Sequence, residues 1–339
     1  MMKAQCESTL KTYDEKWDDF YTYCEKKGLD PFYPKIYHVA SFLKKRFEAG
    51  HGLRSLGVYR AAISATLKYH TKLEVGTNQE ISGLMKSFRV QRPPVRKIMP
   101  EWDISFVLWS LTRPPFEPIH DEKCVDLKHL TWKAVFLLFL ASGARRSEIH
   151  ALSQESVSIA ESRTFMTVAP HPGFVAKNAV AKGKPLDPFV IPSLQAHSPD
   201  DRSLCPVRCI REYGRRTKKF RGEKKNLFVS YQAGRKNEIC KNTISSWIKN
   251  LLQFCYKNPQ EETLSLAGLG SHEIRRVAAT LVYRGTVSIE DVMRAGSWKV
   301  HSTFTDFYLK DLSVIDGKRM KRLGPIVAAQ KVVLATPII

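Results

Sequence analysis

His272, Arg275, Trp298 and Tyr308 fall within one short stretch of a very basic chain. Between them they offer a titratable imidazole, a fixed cation, an indole N–H donor and a phenol. Those are the parts needed to attack a phosphodiester without a metal. Such an attack builds negative charge on the nonbridging oxygens, and guanidiniums can clamp these through bidentate, charge-assisted bonds. On a helix, His272 and Arg275 would sit one turn apart on the same face. A phenol with a pKa of about 10 is mostly protonated at neutral pH, so it needs a base or a strong local positive field. His272 could take up or relay that proton, and Trp298 can donate to a phosphate oxygen but cannot titrate. An isolated His-x-x-Arg carries little weight, so the reading depends on what the rest of the chain supplies.

The charge balance supports a polyanionic partner. Fifty-four Lys and Arg against 33 Asp and Glu leave a net charge of +21, and neutralising phosphates with these groups releases counterions. The basic residues are spread over several elements and not gathered in one tail, which favours nucleic acid over a merely basic ribosomal or membrane-surface protein. No apolar run reaches membrane-spanning length: the stretch from Ala134 to Ser142 stops at Gly143-Ala144-Arg145, so no membrane partner is expected. No apolar core of a secretory signal stands at the N-terminus. Seven cysteines without tight pairing fit a reducing compartment. Cys205 and Cys209 would make half of a zinc site, but no second pair lies at ligand spacing, so they read as structural thiols.

The elements that must position the chemistry divide into two domains, as the 339-residue length suggests. The first, residues 1–95, reads as helical. Helical spacing of apolar residues runs over Leu10 to Lys27, Ile36 to Ala49, Leu56 to Tyr69 and Ile81 to Val90, with Gly50 and Gly52 as a stop after the second. Arg54, Arg60, Lys68, Lys86, Arg89 and Arg92 lie on or beside these helices and suggest a phosphate-tracking surface. Gln91 to Lys97, with its Pro93-Pro94 pair, reads as a linker. The second domain, residues 96–323, opens with an amphipathic segment from Trp102 to Leu111, followed by a surface loop from Thr112 to Pro118. Leu127 to Ala141 reads as a buried helix. Arg163 to Ala169 and Phe189 to Pro192 have strand-like content, with a lysine-bearing loop between them. Leu227 to Tyr231 fits either a strand or a helix-entry loop, and Thr243 to Tyr256 a helix. Residues 324–339 form an apolar tail. The fold class is therefore mainly α with a small β-hairpin or sheet.

Four segments in order then carry a family resemblance. Ser142-Gly143-Ala144-Arg145-Arg146-Ser147-Glu148 resembles the T-G-x-R-x-S-E box of tyrosine recombinases, the phage-integrase family. His272-Glu273-Ile274-Arg275-Arg276-Val277-Ala278-Ala279-Thr280 resembles the second box, H-x-L-R-R/H-x-x-A-T. Ala295-Gly296-Ser297-Trp298 and Phe307-Tyr308 look like the third His/Trp position and the nucleophilic tyrosine. Each box alone is weak, but all of them in order in a basic two-domain chain are strong. The wording of Pro-Gly-Phe-Val-Ala-Lys-Asn and Ala-Gly-Ser-Trp-Lys-Val-His resembles mobile-element recombinases of the DIRS and Crypton type.

The resemblance implies a C-shaped DNA clamp, with Arg145 and Arg275 on the phosphate and Tyr308 as nucleophile. Loss of one such donor would slow the reaction roughly 10²- to 10³-fold. It also implies a hairpin lysine as general acid for the leaving 5′ oxygen. Lys177 is the first choice, with Lys182 and Lys184 as alternates. Glu148 is expected to orient the arginine or its helix. Ten positions separate Trp298 from Tyr308, one more than in much of the family. Either the loop carries an extra residue or His301 shares the role.

Rival chemistries fail on spacing: His272-Glu273-x-x-Arg276 lacks the second ligand of a zinc hydrolase, and no phosphate-binding G-x-x-x-x-G-K-[ST] or G-x-S-x-G elbow occurs. No cofactor or metal is expected. The implied partners are double-stranded DNA and further copies of the chain, as a dimer or tetramer. Arg215 to Arg221 and Lys318 to Arg322 are candidate nuclear signals. The alternatives are a catalytically silent, element-derived DNA-binding protein and a type IB topoisomerase. Family members dock a C-terminal segment on a neighbouring protomer, so a chain ending at Gly324 is expected to lose oligomerisation on DNA. Unchanged assembly in sedimentation or mass photometry would remove that role from the tail.

Overall fold

The computed structural model describes residues 7–71, 73–93, 104–176, 186–194, 202–232, 239–256, 274–278, 288 and 290, with the backbone of 314–315 and 318–319. The chain forms two compact units, residues 1–98 and 99–339.

Four helices build the first unit: α1 (Glu7–Glu25), α2 (Ile36–Glu48), α3 (Leu53–His70) and α4 (Gln79–Gln91). Their apolar stripes supply a core of Phe20, Val39, Phe42, Leu43, Leu56, Tyr59, Ile63 and Leu67, closed by Ile81 and Phe88. Phe47 and Phe88 stack with ring centroids 4.2 Å apart. Asp19 on α1 accepts from the Tyr59 hydroxyl at 2.5 Å and pairs with Arg46 at 3.0 Å, so one carboxylate joins three helices. The Asn78 side chain accepts the Ile81 N–H and caps α4. One expectation changes here. Gly50, at φ +93°, follows the end of α2, but Gly52 has an extended backbone and is the N-cap of α3, a start and not a stop.

The second unit is organised on α6 (Leu127–Ser142), which follows α5 (Ile104–Leu111). Leu130 and the run from Ala134 to Phe139 are buried, so this helix is enclosed nearly all round. Asp126 caps its start by accepting the His129 N–H at 2.8 Å. Against it pack α8 (Pro206–Arg221) and α9 (Lys241–Cys255); the short α7 (Arg146–Ala151) packs on α9. Three antiparallel strands, β1 (Ser158–Ile159), β2 (Phe165–Val168) and β3 (Phe189–Pro192), form the small sheet in the order β1-β2-β3. In the register Met166↔Ile191 and Val168↔Phe189, alternate residues Met166, Val168 and Ile191 turn into the core. Val314–Ile315 and Lys318–Arg319 pair as a further antiparallel ladder, β4 and β5.

One reading of the sequence changes in this unit, and one open alternative closes. The Thr112–Pro118 loop is not confined to the surface, because Phe116 and Glu117 are buried in it. Lys133, on the most apolar helix, is fully buried and donates to the Leu111 carbonyl at 2.7 Å and to Glu117 at 2.5 Å. Arg208 on α8 adds a bidentate pair to the same carboxylate at 2.7 and 2.9 Å. An isolated buried ammonium would be prohibitively costly, so the loop turns inward to bring it a counter-charge. Leu227 to Tyr231 forms no strand of its own. The Leu227 N–H donates to the Leu152 carbonyl at 2.7 Å, and Val229 and the Tyr213 hydroxyl bond each other.

The basic cluster Arg215–Arg221 is the C-terminal half of a core helix. The sequence reading missed α8, whose stripe is Cys209, Ile210, Tyr213 and Thr217. Arg216 donates to the Val125 and Ile119 carbonyls, and Arg221 to the Leu227 carbonyl at 2.9 Å. Two of the five basic residues of the supposed address signal, Arg216 and Arg221, are therefore spent on internal carbonyls. Cys205 and Cys209 are buried free thiols, and burial pushes Cys209 up to about 11. Among the described residues no helix is long and apolar enough to cross a membrane.

Glu117 should govern the acid stability of this unit. Burial alone would raise its carboxyl, but bonds from Arg208 and Lys133 outweigh that and hold it below the ordinary value of 4.5. Its stabilising contribution is thus complete above 4.5 and is lost as pH falls through the lower folded value. Glu117→Ala, which strands the Lys133 charge, is expected to lose about 3–5 kcal/mol in urea unfolding. Glu117→Gln should show a flatter acid dependence than the parent. Equal stability of Glu117→Ala and the parent would rule out this role for the triad.

Candidate active site

α6 ends at Gly143, whose φ of +56° lies in the left-handed region. A side chain there would strain the backbone, whereas glycine lets the chain reverse at once. Two residues later Arg145 occupies the N-cap of α7, with extended φ and ψ of −81° and 154°. Glu148, at the third position of that helix, accepts the Arg145 backbone N–H through Oε2 at 2.7 Å. Its Oε1 accepts the Arg145 guanidinium, also at 2.7 Å. Arg145 is held through both its backbone and its side chain by one carboxylate, in half of a capping box.

The second arginine reaches the same group. Residues 274–278 are helical, with Ile274 and Val277 in the core of the unit. Arg275 Nη1 lies 3.8 Å from Glu148 Oε2, and the Arg275 side chain is 1% exposed. Glu148 is itself buried and Arg145 is the more exposed of the pair, at 16%. One carboxylate between two guanidiniums leaves the trio cationic. An arginine carries five N–H donors in a fixed fork, a geometry that matches carboxylate and phosphate oxygens alike.

Arg146, the neighbouring basic residue, points elsewhere. It donates to Asn242 Oδ1 at 3.0 Å and Ser245 Oγ at 3.3 Å, joining α7 to α9. His150, at the other end of α7, bonds the Ile239 carbonyl through Nε2 at 2.7 Å. Those three contacts fix the helix that carries Arg145 and Glu148.

Of the residues assigned from sequence, the structure brings together Arg145, Glu148 and Arg275. Lys177, Lys182, Lys184, His272, Trp298, His301 and Tyr308 lie outside the described residues, as do the linker beyond Pro93 and the tail after 323. In the helical unit, Arg54, Lys68, Lys86 and Arg89 are exposed. Arg60 and Arg92 are engaged within the unit. Arg60 donates to the Gly76 carbonyl and to Ser82 Oγ, and Arg92 lies 4.3 Å over the Phe47 ring and donates to the Phe47 carbonyl at 3.2 Å. Asn226 and His171, which bond each other at 3.1 Å next to α7, were not singled out from sequence. Neither falls in a periodic run, and their pairing is set only by the fold.

No family model matches the chain, and no match appears among the curated proteins. Solved structures do match. XerH site-specific recombinase bound to palindromic difH substrate, in a post-cleavage complex, aligns with a TM-score of 0.56 at 13% identity over 95% of this chain and 79% of that one. A lambda integrase dimer bound to a COC′ core site aligns at 0.52 and 13% over 94% of this chain and 76% of that one. The Tn1549 transposon integrase in complex with transposon right end DNA aligns at 0.51 and 13% over 89% and 86%. At these identities the likeness is one of fold: a mainly helical chain with a small antiparallel sheet, as in those recombinases and integrases.

Glu148 should be the structural keystone of this site. Glu148→Ala removes the acceptor of the Arg145 N–H, worth about 1 kcal/mol as a cap. It also withdraws the carboxylate facing buried Arg275, for a further loss of a few kcal/mol. Glu148→Gln keeps an acceptor and is expected to lose less than Glu148→Ala in chemical denaturation. The reverse order would overturn the geometry described for the carboxylate.

Proposed function

We propose that this protein is a site-specific DNA recombinase or transposase that cuts and rejoins DNA through a 3′-phosphotyrosyl intermediate. The observation that carries the reading is the convergence of Arg145 and Arg275 on Glu148, from segments far apart in sequence. The fold shared with recombinases and integrases solved on DNA supports it. So does the net charge of +21.

In this reading the Tyr308 oxygen attacks the scissile phosphorus and its proton passes toward His272. Arg145 and Arg275 stabilise the charge that develops on the nonbridging oxygens, with Trp298 donating one further hydrogen bond. The P–O5′ bond breaks, and a lysine ammonium, Lys177 in the first instance, gives the leaving oxygen its proton. The covalent bond conserves the phosphodiester energy, so rejoining requires neither ATP nor a metal. The partner is double-stranded DNA, gripped by the helical unit of residues 1–95 and the catalytic unit of residues 96–323, with two or four copies assembling on it. An element-encoded enzyme of the DIRS or Crypton kind, working in a nucleus, fits the sequence wording.

Incubation with nicked suicide DNA tests this directly. A denaturation-resistant protein–DNA adduct is expected with the parent chain and none with Tyr308→Phe. No adduct on DNA that the protein binds well would instead identify a binding module. Relaxation of supercoiled DNA without joining of two sites would identify a topoisomerase, and loss of cleavage on metal chelation would overturn the mechanism.

A further inference from the structure

We infer that Asn226 and His171 form a positioning pair that sets the lysine-bearing loop in register with the Arg145 helix. This inference rests on the recombinase reading of the site. The observations begin at the end of β2. Pro170 pairs with Leu152 across an antiparallel bridge, and the His171 N–H donates to the Ala151 carbonyl at 2.8 Å. His171-Pro172-Gly173-Phe174 then closes a turn, the Phe174 N–H donating back to the His171 carbonyl at 3.1 Å. Proline at the second place and Gly173 at φ +85° in the third give a type II turn. Beyond it Ala176 is buried, 4% exposed, and is the last described residue before Lys177. One peptide unit, about 3.8 Å between Cα atoms, therefore separates a fixed anchor from the first-choice lysine.

Asn226 ties this anchor to the arginine helix. Its Nδ2 donates to the carbonyl of His150, in α7, at 3.1 Å. That leaves Oδ1 facing His171 Nε2 at 3.1 Å, so His171 carries its proton on Nε2 and donates. The Asn226 backbone is held in turn, pairing with Ser153 and accepting from Arg221. A single amide thus satisfies one group on the helix of Arg145 and Glu148 and one group at the root of the lysine loop. Neither side chain needs to touch DNA. A shift of about 1 Å in a general acid can slow a reaction by about 100-fold, so a two-bond link of this kind is sufficient to matter.

Bridging sulfur gives the test. Thiols are far more acidic than alcohols, with a pKa of about 8.5 for cysteine, so a 5′-sulfur leaves without being protonated. Single-turnover cleavage by parent, Asn226→Ala, His171→Phe and Lys177→Ala is compared on suicide DNA with oxygen or sulfur at the scissile 5′ position. Asn226→Ala is expected to cleave oxygen DNA between 10- and 100-fold more slowly than the parent at unchanged DNA affinity, and sulfur DNA at close to the parent rate. The defect should be less than additive with that of Lys177→Ala, as for groups acting through one another. Should Asn226→Ala fail to fold, His171→Phe, in a half-exposed turn, is expected to show the same pattern. Parent-like cleavage of oxygen DNA, or a defect equally large on sulfur, would overturn the positioning role and leave the recombinase reading standing. No adduct from the parent on either DNA would overturn both.

Discussion

Two guanidiniums held beside one another repel, and one of these is almost wholly enclosed in protein. The Glu148 carboxylate makes that arrangement tolerable. It lies 2.7 Å from Arg145 and 3.8 Å from Arg275 and is itself buried. Desolvating three charged groups is unfavourable, and good geometry offsets it only in part. Counting these three groups alone, two positive charges face one negative. On the proposed recombinase reading, donors held in this way would need little rearrangement to stabilise a charged transition state.

The helix that holds this carboxylate is too short to be stable alone, with six residues and hence few internal bonds. Its position is imposed from outside: Arg146 and His150 fasten it to the start of α9, and Asn226 and His171 fasten its last turn to the segments after β2 and α8. The Glu117–Lys133–Arg208 cluster does the same for α6 and α8 with buried charge. Both clusters are non-local, so both depend on the unit as a whole and not on helix propensity.

What was legible in the sequence follows from this division. Helices α1 to α4, α6 and α9 carry apolar stripes with helical period, and they fold close to where that period put them. The box around Arg145 was legible because its spacing is local: Gly143 reverses the chain, Arg145 caps, and Glu148 sits three residues on. α8 was hidden because basic residues crowd its last turns and resemble a solvated face. Only the structure shows Arg216 and Arg221 turned onto carbonyls. The inward turn of the 112–118 loop was equally hidden, since Glu117 reads as a surface carboxylate until Lys133 and Arg208 are placed beside it. Asn226 and His171 carry no periodicity, and polar pairs of this kind are specified by tertiary contact alone.

The distance in sequence between the two arginines also bears on biosynthesis. Arg145 and Glu148 leave the ribosome well before Arg275, by roughly 7 to 26 s at ordinary elongation rates of about 5–20 residues per second. On the proposed recombinase reading, the nascent chain through that interval already displays the basic helical unit, while the Glu148 carboxylate faces only one guanidinium. On that reading, binding capacity matures ahead of cutting capacity. If the proposed function holds, a chain terminated early, or a messenger broken before the second box, would yield a protein that occupies DNA without the paired cations, and so a competitor of the intact form.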